Sequence, residues 1–242
     1  MIVMMDMKKA GLGLDEEFWK DLVNEIERYS QRGCYEKANN IMSFYTLKKL
    51  RIIASSLAVG SKVIVDAGSG PGTSTWYIKQ VNSDSLIVAL DPSFAMLEVA
   101  KDSMENLNLV NGMFECIPMK ENSADSIIAM FSFRDARFYE DAIKEFSRIL
   151  RPDGKLIILD LYKPENTLEK ILALFQFNIF SIISGLLAGC GLDSFNFNYL
   201  YKTLNKMLTP KELLVVTKKY FRNAVFKKLP ILVGILYAMN PL

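Results

Sequence analysis

The run Val63-Ile64-Val65-Asp66-Ala67-Gly68-Ser69-Gly70-Pro71-Gly72-Thr73-Ser74-Thr75 constrains this chain more than any other stretch. A short apolar segment bounded by turn residues reads as a strand buried in a parallel sheet. The glycines that follow let the backbone turn sharply into a helix, and they leave it bare for a ligand to approach. A plain strand-to-helix turn is the bland alternative. Such a turn needs neither the repeated glycines nor the acid that closes the strand.

The spacing narrows the ligand. A dinucleotide fingerprint reads G-x-G-x-x-G and holds a pyrophosphate on the amides of a helix N-terminus. Here the glycines stand at 68, 70 and 72, and Pro71 removes one amide from the loop. Asp66 would repel phosphate but could receive an ammonium group, directly or through water. S-adenosylmethionine carries an ammonium, a sulfonium and an adenosine, and no phosphate. A second apolar strand over residues 86–90 ends in Asp91, 19 residues after Gly72. Rossmann-like folds place about there the acid that accepts the ribose hydroxyls. Helix capping is the competing role, because Asp91-Pro92-Ser93 precedes an amphipathic segment over 94–104. Either Asp91 or Ser93 could be its N-cap, and the two roles can coexist.

Composition enters by what it excludes. The 242 residues contain no histidine. The usual neutral-pH general base, Ser-His catalysis and histidine metal ligation are thereby removed, and no metal site is expected. Methyl transfer tolerates this, since a sulfonium is already a strong electrophile and the protein mainly aligns and desolvates. With 29 basic and 27 acidic residues the net charge is +2, which gives no reason to expect nucleic acid. Cys34, Cys116 and Cys190 lie far apart with no paired spacing. Neither a zinc knuckle nor a disulfide framework is suggested, and a reducing cytoplasm fits. The start, residues 1–7, is apolar but short and contains Asp6, so it lacks the core of a signal peptide.

Helical periodicity is expected over 15–30, 35–42 and 44–58. A third short strand precedes Met113. A fourth, over 126–131, delivers Ser132, Arg134 and Asp135 at its carboxyl end, where open α/β sheets bind ligands. A surface ion pair is the plainer reading of Arg134 and Asp135. A helix over 138–150 and a turn over 151–154 lead into a fifth strand over 155–160. The segment 171–192 is the longest uncharged stretch and long enough to span a membrane. Gln176, Asn178, Ser181, Ser184 and the nearby glycines argue against a span, which would also split the sheet. An apolar cap that lines a greasy acceptor site and touches the bilayer surface is expected instead, with a buried helix pair as the plainer alternative. Thr209-Pro210-Lys211-Glu212 reads as a helix start, and 223–229 with 231–237 as a closing strand pair.

The loop Asp66 to Gly72 and the turn Asp91-Pro92-Ser93-Phe94-Ala95-Met96-Leu97 resemble those of class I S-adenosylmethionine-dependent methyltransferases. Three stretches narrow the resemblance to the ubiquinone/menaquinone-biosynthesis C-methyltransferase family. These are Tyr35-Glu36-Lys37-Ala38-Asn39-Asn40-Ile41-Met42-Ser43, Met130-Phe131-Ser132-Phe133-Arg134-Asp135-Ala136 and Leu159-Asp160-Leu161-Tyr162-Lys163-Pro164. The likeness runs from about residue 35 to 201. It implies a doubly wound α/β fold with a seven-stranded sheet whose last strand is antiparallel. One domain is expected: an N-terminal helical lid to residue 60, a cofactor core over 61–164, a cap over 165–205, and a closing helix and strand pair.

For S-adenosylmethionine the resemblance implies contacts from Asp66, Gly68, Gly70, Gly72, Asp91, Pro92, Met113, Phe114 and Phe131. The family often has Asp or Asn where Met113 stands, and Asn where Asp135 stands. The second exchange adds a base beside Arg134. Arg134 and Asp135 are the expected catalytic pair, orienting a water or the acceptor hydroxyl. Tyr35 and Tyr199 would position the ring, and Asn39 would share their wall. The implied activity is C-methylation of a prenylated quinol or similar apolar aromatic in the cytoplasm, with peripheral contact at the membrane's inner face. Two alternatives stay open: a small-molecule O- or N-methyltransferase, and a non-catalytic cofactor-binding or membrane-peripheral partner protein. The acceptor and the oligomeric state, a homodimer included, are not fixed by the sequence.

Overall fold

The structure, a computed structural model, describes Leu14 and residues 16–31, 34–104, 106–191 and 199–242. A seven-stranded sheet organises it. The strands are β1 (Val63–Ala67), β2 (Leu86–Asp91), β3 (Asn108–Asn111), β4 (Ala124–Met130), β5 (Leu150–Leu161), β6 (Phe221–Lys228) and β7 (Val233–Pro241). Their order is β3-β2-β1-β4-β5-β7-β6. The pairs β2·β3, β1·β2, β1·β4 and β4·β5 are parallel, whereas β7 runs antiparallel to both β5 and β6. The α/β class and the antiparallel last strand are therefore as expected.

Strand periodicity divides the core into two layers. Val65, Ala67, Ile127, Ala129, Leu156 and Ile158 pack on one face. Their neighbours Ile64, Ile128, Met130, Ile157 and Leu159 pack on the other. Against the first face lie α6 (Tyr139–Ile149) through Ile143 and Phe146, and α10 (Pro210–Thr217) through Leu213 and Val216. Thr209 and Glu212 cap the start of α10 with a reciprocal capping box, an arrangement worth about 1 kcal/mol. Against the second face lie α3 (Leu47–Ser56), α4 (Thr73–Val81) and α9 (Tyr199–Lys206), through Ala54, Ile78 and Leu204. The helix α5 (Phe94–Ser103) packs beside β2 and β3. Helices α1 (Glu16–Gln31) and α2 (Tyr35–Met42) precede this core.

Four details differ from the sequence expectation. Phe44 and Tyr45 have φ of 50° and 59°, so a tight left-handed turn separates α2 from α3 and the latter begins only at Leu47. Residues 151–154 lie within β5, but its pairing with β4 jumps from Ala124–Leu150 to Ser126–Lys155 and the segment bulges between. The segment expected as an apolar cap is one continuous helix, Thr167–Ala188, which departs from the alternative reading of a helix pair. It comprises α7 (Thr167–Leu174), a π-turn (Phe175–Phe180) and α8 (Ser181–Ala188). Finally, Cys34 and Cys190 form a disulfide, with Cα atoms 5.5 Å apart across a sequence separation of 156. Chain spacing concealed this pair because α2 and α8 meet only when the chain has folded. Cys116 is free and exposed.

Candidate cofactor and acceptor site

The carboxyl ends of β1, β2 and β4 open onto one cavity, walled on its far side by α1, α2, α3 and the cap helix. Gly68, with φ +72°, is required by close approach: a Cβ there would stand 2.4 Å from Ser132 Cβ. Gly70, with φ +54°, faces open space, so a side chain at 70 would project where a ligand can lie. The turn's own amides are committed. Gly68 and Ser69 donate to Leu90 O at 2.8 and 3.0 Å, and Gly72 donates to Ser69 O at 3.0 Å. Gly70 donates to Asp91 Oδ2 at 2.8 Å. Pro71 has no amide to offer, which fits a ligand without phosphate.

Asp91 is buried at the cavity wall and clamps the loop to β2. Its other oxygen, Oδ1, accepts the Ser93 amide at 2.9 Å. Ser93 is the N-cap of α5, accepting from Met96 N at 3.1 Å. The capping question thus resolves to Ser93. Pro92, Met113, Phe114 and Phe131 also line the cavity. Phe114 doubles as core, lying edge-on to Phe146 with ring centroids 5.8 Å apart.

Asp66 and Gly72, both expected at the cofactor, do not line the cavity. Gly72 faces the other way: a Cβ would meet Met104 Cε at 2.7 Å and Ala100 Cβ at 3.2 Å, so its bareness serves the packing of α4 on α5. Asp66 is sealed behind the loop. Its Oδ2 accepts the Ser74 and Thr75 hydroxyls at 2.8 and 2.6 Å. Its buried Oδ1 has no hydrogen-bond partner among the described residues. Desolvation pushes this carboxyl up to about 6 against the pull of those two hydroxyls. Contact with an ammonium would therefore run through a water.

On the acceptor side, Phe131 adopts φ +59° at the end of β4, a conformation that a bulky residue holds only where its surroundings enforce it. A short 3-10 turn, Phe133–Asp135, follows. Asp160, on β5, pins Arg134 twice: Oδ2 accepts its backbone amide at 2.9 Å and Oδ1 accepts Nη1 at 3.1 Å. Arg134 Nη1 also donates to Phe131 O. Asp135 Oδ2 lies 3.5 Å from Arg134 Nη2, and its side chain is only 17% exposed. Asp135 Oδ1 is buried with no partner among the described residues. Burial raises the Asp135 carboxyl to about 7; Arg134 pulls it down, while Asp160 and Asp91 push it up. A carboxyl poised at neutral pH, with one oxygen unpaired beside a fixed guanidinium, can take and release a proton where histidine is absent.

The lid and cap complete the wall through Glu36, Asn39, Arg51, Gln176, Phe177 and Leu200, among others. Tyr35 and Tyr199 open α2 and α9, but their side chains lie outside what the structure describes. Arg51 and the positioning of Arg134 by Asp160 were not anticipated. The first had a signal: Leu47, Arg51 and Ala54 fall on one buried stripe of α3, where a cation is out of place unless something holds it.

A methyltransferase domain model matches residues 65–158. The chain is 30% identical over 186 residues to the ubiquinone/menaquinone biosynthesis C-methyltransferase of Pseudoalteromonas translucida, covering 73% of each. This chain belongs to that family. The corresponding enzyme of Haemophilus ducreyi is 27% identical over 194 residues, covering 76% of this chain and 73% of its own. Among solved structures, a Thermotoga maritima S-adenosylmethionine-dependent methyltransferase superposes with a TM-score of 0.59 at 17% identity, over 92% of this chain and 99% of its own. Human N-acetylserotonin methyltransferase, solved with S-adenosylmethionine, gives 0.55 at 14%, over 85% and 57%. The chain is an S-adenosylmethionine-dependent methyltransferase.

The residues present fit that cofactor. The bare Gly70 surface would admit close approach, and Asp91, at the cavity wall, is the carboxylate that would accept the ribose hydroxyls. Ser69 Oγ and Arg51 Nε, both buried without a partner among the described residues, belong to residues that line the loop end of the cavity.

Proposed function

We propose that this family member methylates a ring carbon of a prenylated quinol or a similar apolar aromatic. Asp135 carries the reading: a mostly buried carboxyl of a residue that lines the cavity, raised to about 7, with one oxygen without a partner among the described residues. The relatives, ubiquinone/menaquinone biosynthesis C-methyltransferases, support the substrate class. S-adenosylmethionine supplies an electrophilic methyl group. Asp135 takes the proton of the acceptor hydroxyl, which enriches the ring carbon in electrons. Arg134, held by Asp160, stabilises the resulting oxyanion. The ring carbon would then take the methyl group as its bond to sulfur breaks and S-adenosylhomocysteine leaves; the ring C–H proton would pass to water, restoring aromaticity, and Asp135 would return its proton to the oxygen.

The same reading rests the protein on the inner face of the membrane; the Cys34–Cys190 bridge removes the cysteine argument for a reducing compartment, so the cytoplasmic placement stands on the relatives alone. Leu168, Ile171, Leu172, Phe175, Ile179 and Leu187 are exposed along the cap helix. Phe44, itself exposed, stacks on Phe180 at 5.3 Å and extends that apolar face towards the lid. A face of this kind suits an enzyme whose acceptor dissolves in lipid.

The test supplies methyl-labelled S-adenosylmethionine with two acceptors, a prenylated demethylquinol in detergent and a water-soluble catechol, and locates the label by NMR. Label on a ring carbon of the quinol is expected. Label on oxygen, or turnover of the catechol alone, would refute the reading. Arg134→Lys should lower kcat while leaving the affinity for S-adenosylhomocysteine intact; equal losses would remove Arg134 from the chemistry.

A further inference from the structure

A buried guanidinium in the cavity wall is unexplained by the acceptor chemistry. Arg51 is 8% exposed, on the inner stripe of α3. Its side chain lines the cavity together with Ser69, Gly70 and Ser74. Its guanidinium lies 5.6 Å from the centre of the Tyr77 ring and 5.9 Å from that of Phe131, so two aromatic faces hold it in position. One donor is taken: Nη1 bonds Glu36 Oε1, on the lid, at 2.6 Å. Nε is buried with no hydrogen-bond partner among the described residues. A buried charged donor left unmet is costly, and in native proteins such a group calls for a partner or a functional role.

The cofactor carries one carboxylate, beside its ammonium, and that group needs a partner. The amides of residues 68–72 are spent within the loop or absent. Among the described residues lining the cavity, the cations are Arg51 and Arg134, and Arg134 is fixed by Asp160 at the acceptor end. Arg51 lies instead close enough to Asp66 to pull its carboxyl down. We infer that Arg51 binds the carboxylate of S-adenosylmethionine, with Glu36 orienting the guanidinium so that its Nε edge meets the ligand. The first turn of α4, whose Thr73 and Ser74 line the same wall, adds its positive end. Glu36 belongs to α2, so the N-terminal helices reach the amino-acid end of the cofactor through this pair. This inference rests on the cofactor assignment and goes beyond it by naming which residue reads the carboxylate.

The experiment is calorimetric titration of wild type, Arg51→Gln and Arg51→Lys with S-adenosylhomocysteine and with its decarboxylated analogue, which keeps the ammonium and adenosine. Arg51→Gln should weaken S-adenosylhomocysteine by about 10- to 100-fold, the worth of charge-assisted hydrogen bonds. The analogue should bind wild type and Arg51→Gln within about twofold of each other, which also reports an intact pocket, and Arg51→Lys should recover part of the loss. Equal weakening of both ligands would overturn the inference and leave Arg51 a tether for Glu36. Unchanged S-adenosylhomocysteine affinity would overturn it too. A wild type that binds neither ligand would instead overturn the cofactor assignment on which it stands.

Discussion

Replacing Asp135 by Asn should make the protein more stable and less active, and the gain should depend on pH in one direction. The Asp135 carboxyl moves from 3.8 to about 7 on folding, chiefly because burial penalises its charge. Below the unfolded value both states hold the proton and the group contributes nothing to the pH dependence. As pH rises from about 4 to about 7 the unfolded chain has released the proton while the native chain retains it, so stability falls; above about 7 the loss is complete. At 1.36 kcal/mol per unit the shift sets a ceiling of roughly 4 kcal/mol. Asn is close to isosteric and never ionises, so Asp135→Asn escapes the loss. Asp66 slopes the same way, but it is present in both proteins and cancels in their difference. Thermal melts at pH 4.5 and pH 8 supply the assay. The variant should exceed wild type by only about 1 kcal/mol at the lower pH and by up to about 4 kcal/mol at the higher, at roughly 2–4 °C per kcal/mol for a chain of this size. Methyl transfer should fall by about 10²- to 10⁴-fold, as on removing a general base. A variant less stable than wild type at pH 8 would refute the reasoning, because attraction to Arg134 would then outweigh desolvation and Asp135 would be an ordinary ion-pair partner.

Three further outcomes are expected. Gly70→Arg should abolish S-adenosylhomocysteine binding without unfolding the chain, since a side chain there enters open space, and Asp91→Ala should weaken binding by on the order of 10-fold or more; retained affinity in a calorimetric titration of Gly70→Arg would dissociate the loop from the cofactor. Reduction of Cys34–Cys190, or Cys34→Ser, should cost about 2–4 kcal/mol and lower Tm correspondingly, and a melt unchanged by dithiothreitol would show that the bridge tethers nothing. Phe175→Asp with Ile179→Asp should abolish co-flotation with anionic lipid vesicles while leaving cofactor affinity unchanged; flotation of this double variant would remove the cap helix from the lipid contact.

Much of the chemistry was legible in local sequence, because local rules generate it. The alternation of Ile64 and Val65, or of Ile127 and Ile128, fixes which side chain faces which layer once a strand forms. The glycine turn follows from the absence of Cβ, and the acids Asp66 and Asp91 were marked by ending their strands. What depended on distance along the chain was hidden. Gly68 and Gly72 look alike in sequence, yet one is bare because Ser132 crowds it and the other because α5 does. Asp66 reads as a ligand residue but is buried behind the loop, since Ser74 and Thr75 fold back on it.

The sequence by itself therefore determined the doubly wound class, the cofactor loop and the need for a base other than histidine, all carried by short-range periodicity, backbone permissiveness and residue inventory. Only the tertiary structure decided which groups meet: Asp160 under Arg134, Cys34 on Cys190, and Arg51 between Tyr77 and Phe131. The same holds for the strength of Asp135 as an acid, because desolvation depends on everything that closes over a carboxyl, and no local stretch of chain records that.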